Sequence, residues 1–159
     1  MWGETNTLSY NTFEHISTTI RMKDNITMNC HLLYHPPGNT PSFDEHLADL
    51  ITHCALSHTI NIILGDLNFH WNDKNNILIQ SLNELLINSN LSQHCKFQTH
   101  NKGSTLDAIR AQEEAVTIDS ILPVDWSDHH VILFHINKVS PLPTCTQKIF
   151  QWSRNIRQV

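Results

Sequence analysis

Charge is scarce in this chain of 159 residues: 16% are charged, too few for a disordered segment, while 40% are hydrophobic, enough for a folded core. The length suits one domain. Paired cysteines are missing. Cys30, Cys54, Cys95 and Cys145 stand far apart and form no C-x-x-C pair. Structural zinc and a disulfide framework are therefore unsupported, and reduced thiols in an intracellular protein are the plain reading. No apolar run is long enough to span a membrane, and Met1 to Tyr10 lacks the charged start and apolar stretch of a signal peptide. Without a secretory signal, Asn25-Ile-Thr and Asn90-Leu-Ser are chance matches to the glycosylation pattern. Internal repeats and low-complexity segments are also absent.

Basic residues are rare in the body of the chain. Of the 10 Lys and Arg residues, Lys138, Lys148, Arg154 and Arg157 lie in a tail without acids, so residues 1–137 hold six bases against 15 acids, a charge of −9 within an overall −5. A body this acidic does not attract a phosphate backbone by itself. Either it binds no nucleic acid, or a divalent cation neutralises some of its acids.

The chain divides into alternating element types. Residues 12–20, rich in β-branched side chains, and 26–34 read as two strands of an antiparallel hairpin around the turn Lys23-Asp24-Asn25. His35-Pro-Pro-Gly-Asn interrupts the pattern. Ser42 with Glu45 three residues later fits a capping box, and Phe43, Leu47, Leu50, Ile51 and Cys54 follow at helical spacing. Residues 59–64 form an apolar run that ends in Gly65-Asp66, as a buried strand ends in a loop. Residues 75–88 predict a second helix; 105–110, 115–122 and 131–136 predict strands. The order implies α/β layers. The tail from Asn137, with Pro141 and Pro143, reads as a linker, and 147–158 as a short basic helix.

Three spots place polar chemistry at strand ends. In Gly65-Asp66-Leu67-Asn68 the acid and the amide are two apart, so an extended backbone would point them the same way. That pair suits orienting a water and holding a phosphate oxygen; the same residues are ordinary turn chemistry. Ser127-Asp128-His129-His130 precedes a strand, where a carboxylate and an imidazole can bind a metal and donate to a phosphoryl oxygen, or simply start a strand in a chain with 12 histidines. Asp107, inside an apolar run, needs a partner such as His129 if buried, or else lies on the solvated face of an edge strand. The pairs His31/His35 and Asp49/His53 have i, i+4 spacing without a third ligand, and Tyr34 ends its strand where its hydroxyl could meet a phosphate or its ring could pack.

Taken in order, Tyr34-His-Pro-Pro-Gly, Ile63-Leu-Gly-Asp-Leu-Asn-Phe-His, Gln98-Thr-His, Ser104-Thr-Leu-Asp and Ser127-Asp-His resemble the endonuclease domain of LINE-type (non-LTR) retrotransposons, of the endonuclease/exonuclease/phosphatase superfamily, over about residues 12–136. The resemblance implies a four-layer α/β sandwich, here partial and lacking its N-terminal strands, over residues 1–137, with 138–159 as a basic linker or tail similar to the stretch leading toward a reverse transcriptase. It implies a Mg²⁺-dependent enzyme (Mn²⁺ as substitute) that nicks DNA inside the cell, in the nucleus. By the same resemblance Asp66 orients or deprotonates the attacking water and Asn68 holds the scissile phosphate. Asp128 binds the metal, His129 contacts the phosphate, Asp107 orients His129, and Tyr34 contacts a phosphate oxygen. The chain departs from the family in three ways. The N-terminal asparagine and metal-binding glutamate strands are missing, Gly3-Glu4-Thr5 being only a chance likeness. Leu67 replaces a frequent aromatic, and Arg110 stands where an apolar residue is usual. Weak or no activity of this chain alone is the expectation, with a non-catalytic remnant or interaction module as the alternative. A histidine-rich two-metal phosphoesterase ranks last, because its Gly-Asn-His-Asp/Glu stretch is absent. An incomplete sandwich should also expose apolar faces and self-associate.

Overall fold

Alternating β-branched residues build the first hairpin. In the computed structural model, which describes residues 10–21, 26–38, 42–57 and 59–137, strand β1 (Glu14–Arg21) pairs antiparallel with β2 (Thr27–Tyr34) from Glu14↔Tyr34 to Arg21↔Thr27. The predicted turn at 23–25 and the basic tail from 138 lie outside the described residues. Helix α1 (Phe43–Leu56) then returns the chain to β3 (Ile60–Asp66), parallel to β2. Helix α2 (Ile77–Asn88) leads to a two-residue strand β4 (Ser92–Gln93), then β5 (Asp107–Ala111), a 3₁₀ turn at Glu113–Ala115, β6 (Val116–Leu122) and β7 (Val131–Ile136). The strands form a mixed five-stranded sheet, order β1-β2-β3-β5-β4, and a two-stranded antiparallel sheet, β6-β7. Among the described residues no helix is long and apolar enough to cross a membrane.

The side-chain period of two sorts the large sheet into two faces. Leu33, Ile63 and Ala108 point to the helices, where Phe43, Leu47, Leu50, Ile51 and Cys54 of α1 and Leu82 and Leu86 of α2 close one core. Met28, Ile60, Ile62, Ile109 and Ala111 point the other way and meet Val116, Ile118, Ile132 and Phe134 of the small sheet. The described residues thus form three layers: helices, large sheet, small sheet.

Four expectations need correction. Ser42 does not cap α1: its backbone is left-handed (φ 64°) and its side chain makes no capping bond. An N-cap residue ordinarily has an extended backbone, which Ser42 lacks. It is α2 that carries the side-chain cap, Asn76 accepting from the Leu78 N–H at 3.0 Å. Asp107 begins β5 instead of sitting in its middle, because Thr105 and Leu106 are tied to the loop before them: the Thr105 hydroxyl donates to the Phe97 carbonyl at 2.7 Å, and the Leu106 N–H donates to Thr99 Oγ1 at 3.0 Å. Nor is β5 an edge strand, since the unpredicted β4 covers its outer side. The strand at 59–64 extends through Gly65 to Asp66.

Arg110 is fully buried, with its guanidinium carbon 3.9 Å from the centre of the Trp71 ring and no hydrogen-bond partner on any of its three nitrogens among the described residues. Burial pulls its pKa down to about 9, the neighbouring Cys95 opposing the shift. A cation held by one aromatic face in a dry core costs more than that contact returns. We expect Arg110→Leu to stabilise the fold by about 1–3 kcal/mol, roughly 2–4 °C in Tm per kcal/mol, read by calorimetry; a lower Tm would mean that the guanidinium has a structural task. On the inter-sheet face, Ile16 (60% exposed), Ile20 (41%) and Leu32 (51%) continue the row of buried Met28 without cover among the described residues. The expected self-association has this face as its physical basis. The double substitution Ile16→Thr, Leu32→Thr should raise the monomer fraction in size-exclusion chromatography; an unchanged elution profile would place the sticky surface elsewhere.

Candidate active site

Strand register assembles the site. Tyr34 is the partner of Asp66 across β2 and β3, and Asp66 the partner of Asp107 across β3 and β5. With Glu14 beside Tyr34, one transverse row of side chains runs along the rim of the sheet. Register partners share a face, so Tyr34, Asp66 and Asp107 all point to the inter-sheet side, where the small sheet ends. Gly65 allows the row to close. Its φ is +140°, and a Cβ there would lie 1.8 Å from the Leu33 carbonyl oxygen, inside backbone that cannot yield.

After Asp66 the backbone turns. Asn68 is left-handed (φ 50°), so the extended geometry expected for Asp66-Leu67-Asn68 is not what aligns the two side chains. An Asx turn aligns them instead. The Asn68 N–H donates to Asp66 Oδ1 at 2.9 Å, and its side-chain amide donates to Asp66 Oδ2 at 3.2 Å and to the His35 carbonyl at 2.8 Å. Turn chemistry and site geometry are the same structure here. Burial holds the Asp66 carboxyl above its ordinary value; the Asn68 N–H opposes this, the charge of Asp107 adds to it, and His129 opposes it.

His129 reaches the row from two residues before β7. Its Nδ1–H donates to Asp107 Oδ2 at 3.1 Å, and its Nε2 faces Asp66 Oδ2 at 3.6 Å. Burial alone would lower its pKa, but the hydrogen bond and charge of Asp107, helped by Asp66 and Asp128, hold it above the ordinary 6.5. Asp107, with 21% of its side chain exposed, is therefore the paired acid and not a solvated one. Asp128 stands next to His129 with its side chain 65% exposed and one oxygen 3.2 Å from His100 Nε2. Its own backbone N–H, opposed by desolvation, and then His100 keep its carboxyl below the usual range.

The structure thus brings Tyr34, Asp66, Asn68, Asp107, Asp128 and His129 to one rim. The spaced histidines do something else. His31 is buried, stacks on His15 and contacts Asn61 at 3.4 Å, and burial pulls it down to about 4; His35 is buried against Phe43 with ring centroids 3.9 Å apart. Two contributors went unrecognised in the Gln98-Thr-His signal. Thr99 Oγ1 accepts from the N–H groups of Leu106 and Asp107, fixing where β5 begins. His100 forms an antiparallel bridge with His129. Beside the rim, an open groove of about 590 Å³ is lined by Gly38, Asn68, Phe69, His70, Asn72, Asp73, Asn76 and Leu78; of the residues singled out at the rim, only Asn68 lines it.

Removing the Asp107 charge should lower the His129 pKa, read by NMR titration of its ring protons in Asp107→Asn. Because the folded-state pKa is raised, the stability that His129 contributes is complete below about 6.5 and fades as pH rises through the folded value. The stability gap between wild type and variant should therefore narrow toward alkaline pH. An unmoved His129 titration would refute the pairing.

Comparison with known proteins bears on the fold. Among solved structures, the catalytic domain of human Nocturnin is similar with a TM-score of 0.58 at 18% identity, over 86% of this chain and 60% of that one. The endonuclease domain of TRAS1, a telomere-specific non-LTR retrotransposon, gives 0.53 at 16%, over 84% and 67%. An endonuclease/exonuclease/phosphatase family protein from Leptotrichia buccalis gives 0.54 at 16%, over 78% and 54%. These likenesses establish the α/β fold of the endonuclease/exonuclease/phosphatase type, of which the chain spans little more than half to two thirds of the length. No curated protein matches. Residues 28–133 match the family described as endonuclease-reverse transcriptase, and the chain belongs to that family.

Proposed function

We propose that the chain is a divalent-metal-dependent DNA endonuclease domain of the retrotransposon type, slow when acting alone. The observation that carries this reading is His129 held between Asp107 and Asp66 on a rim shared with Tyr34 and Asn68. Each of these side chains has a task in phosphodiester hydrolysis. Asp66, its carboxyl raised by burial, orients the water and accepts its proton as the water oxygen bonds to phosphorus; the scissile P–O bond breaks, and the departing sugar oxygen takes a proton from solvent water. Asn68 exchanges its longer bond, to Asp66, for a phosphate oxygen. His129, kept charged by Asp107, donates to the phosphate as its charge grows. Tyr34, 42% exposed at the end of the row, contacts a further phosphate oxygen.

A Mg²⁺ or Mn²⁺ ion fits this set in part. Such ions take oxygen ligands, keep several waters and need one or two carboxylates. Asp128, exposed at the rim, is the residue that would hold the ion, and bound there the ion would neutralise phosphate charge. Asp128 is the one exposed carboxylate among the residues of the family motifs, and that is the reason for slow action. The acidic body (−9 over residues 1–137) gives a second reading, a folded interaction module without catalysis. In the wider proposal residues 1–137 form the nuclease domain and 138–159 a basic linker toward a reverse transcriptase. The domain would then work in the nucleus, where nicked DNA primes reverse transcription.

Supercoiled plasmid distinguishes the two readings. We expect slow nicking that requires Mg²⁺ and falls at least about 100-fold, to background, in Asp66→Ala and His129→Ala. Nicking that persists in both variants, or none above background in the wild type, would overturn the endonuclease reading and leave the non-catalytic module.

A further inference from the structure

Two Asp–His pairs meet at this rim. Asp107 holds His129, and His100 holds Asp128 through Nε2 at 3.2 Å. The two imidazoles pack edge to face, centroids 5.0 Å apart and planes at 87°. His100, Asp128 and His129 present ligand-type atoms within 4.8 Å of one another, a spacing that would suit a zinc cage. The hydrogen bonding argues otherwise. The Lys102 backbone N–H donates to His100 Nδ1 at 3.0 Å. Nδ1 is therefore the acceptor nitrogen, and the ring proton sits on Nε2, aimed at Asp128. A protonated nitrogen has no lone pair for a metal.

The ring has little freedom to change roles. The N–H groups of Thr99 and His100 both donate to the Ser104 carbonyl, at 3.0 and 3.1 Å, and Gly103, at φ +85°, donates to the His100 carbonyl at 2.9 Å. This tight turn is fastened to the second segment by Asn101 N–H to the Asp128 carbonyl (2.9 Å) and His130 N–H to the Thr99 carbonyl (2.8 Å). His100 itself is 8% exposed, whereas the Asp128 side chain, 65% exposed, would otherwise sample several rotamers.

We infer that His100 is a positioning residue: its Nε2–H fixes the Asp128 carboxylate, so that the rim offers a cation one oriented oxygen ligand and excludes a zinc-type imidazole cage. The consequence for catalysis rests on the endonuclease reading; the hydrogen-bond arrangement does not.

Two measurements on the full chain test this. In protein labelled with ¹⁵N-histidine, with His100 assigned by its loss in His100→Gln, neutral His100 should show the Nε2-protonated tautomer, and added Zn²⁺ should leave its nitrogen shifts in place. An Nδ1-protonated ring, or Zn²⁺-induced shifts of His100, would overturn the inference. In the nicking assay His100→Phe, which keeps a flat ring without the donor, should lose about 10-fold, while His100→Gln, whose amide N–H can replace Nε2–H, should recover most of the rate at an unchanged Tm. Equal loss in both variants, or none in His100→Phe, would overturn it too. If the wild type does not nick, the endonuclease reading fails, and the nitrogen shifts alone decide this inference.

Discussion

Where β2 and β3 run side by side, the Leu33 carbonyl occupies the space that a side chain at position 65 would need. Glycine there lets the strands keep the register that puts Tyr34 opposite Asp66, and the antiparallel pairing of β3 with β5 then puts Asp66 opposite Asp107. Any other residue would force its Cβ into the Leu33 backbone, at a φ that residues with side chains rarely adopt. The rim depends on this contact, because a register slip of one residue would turn every side chain of the row to the helical face.

Two acids side by side at a partly buried rim repel, and the site answers with imidazole. His129 sits within reach of both Asp66 and Asp107, so an imidazole whose charged form both acids favour stands where two carboxylates would otherwise face each other. The second acid–imidazole pair, Asp128 with His100, lies one residue along the same segment and is tied to the first by the bridge between His100 and His129. The chain belongs to the endonuclease-reverse transcriptase family and shares the fold of endonuclease/exonuclease/phosphatase proteins. Among the described residues the small sheet has only two strands, and Ile16, Ile20 and Leu32 of the large sheet have no second layer against them.

Elements with strong periodicity were legible to within a residue or two. The hairpin, both helices and the strands β3, β6 and β7 stand where apolar spacing put them, since burial of one face drives both the pattern and the structure. Local signals read less well. Ser42 and Glu45 match a capping box in letters, yet Ser42 adopts a left-handed backbone and its side chain makes no capping bond. The two residues of β4 are too few to show any period. Arg110 was visible as an oddity, but its position over Trp71 follows from how the loop after β3 folds back, which no local pattern encodes.

What the sequence determined by itself was the alternation of elements and the set of polar residues at their ends, Tyr34, Asp66, Asn68, Asp107, Asp128 and His129, because both follow from short-range spacing and motif order. Tertiary structure alone decided which of these groups touch. The contact of His129 with Asp107 spans 22 residues and that of His100 with Asp128 spans 28, and each depends on the packing of separate segments onto one sheet edge. It also decided that His31 and His35 belong to the core and that the Lys102 amide sets the proton position on His100. A one-dimensional pattern records which face a residue prefers; only the folded chain brings two such faces together.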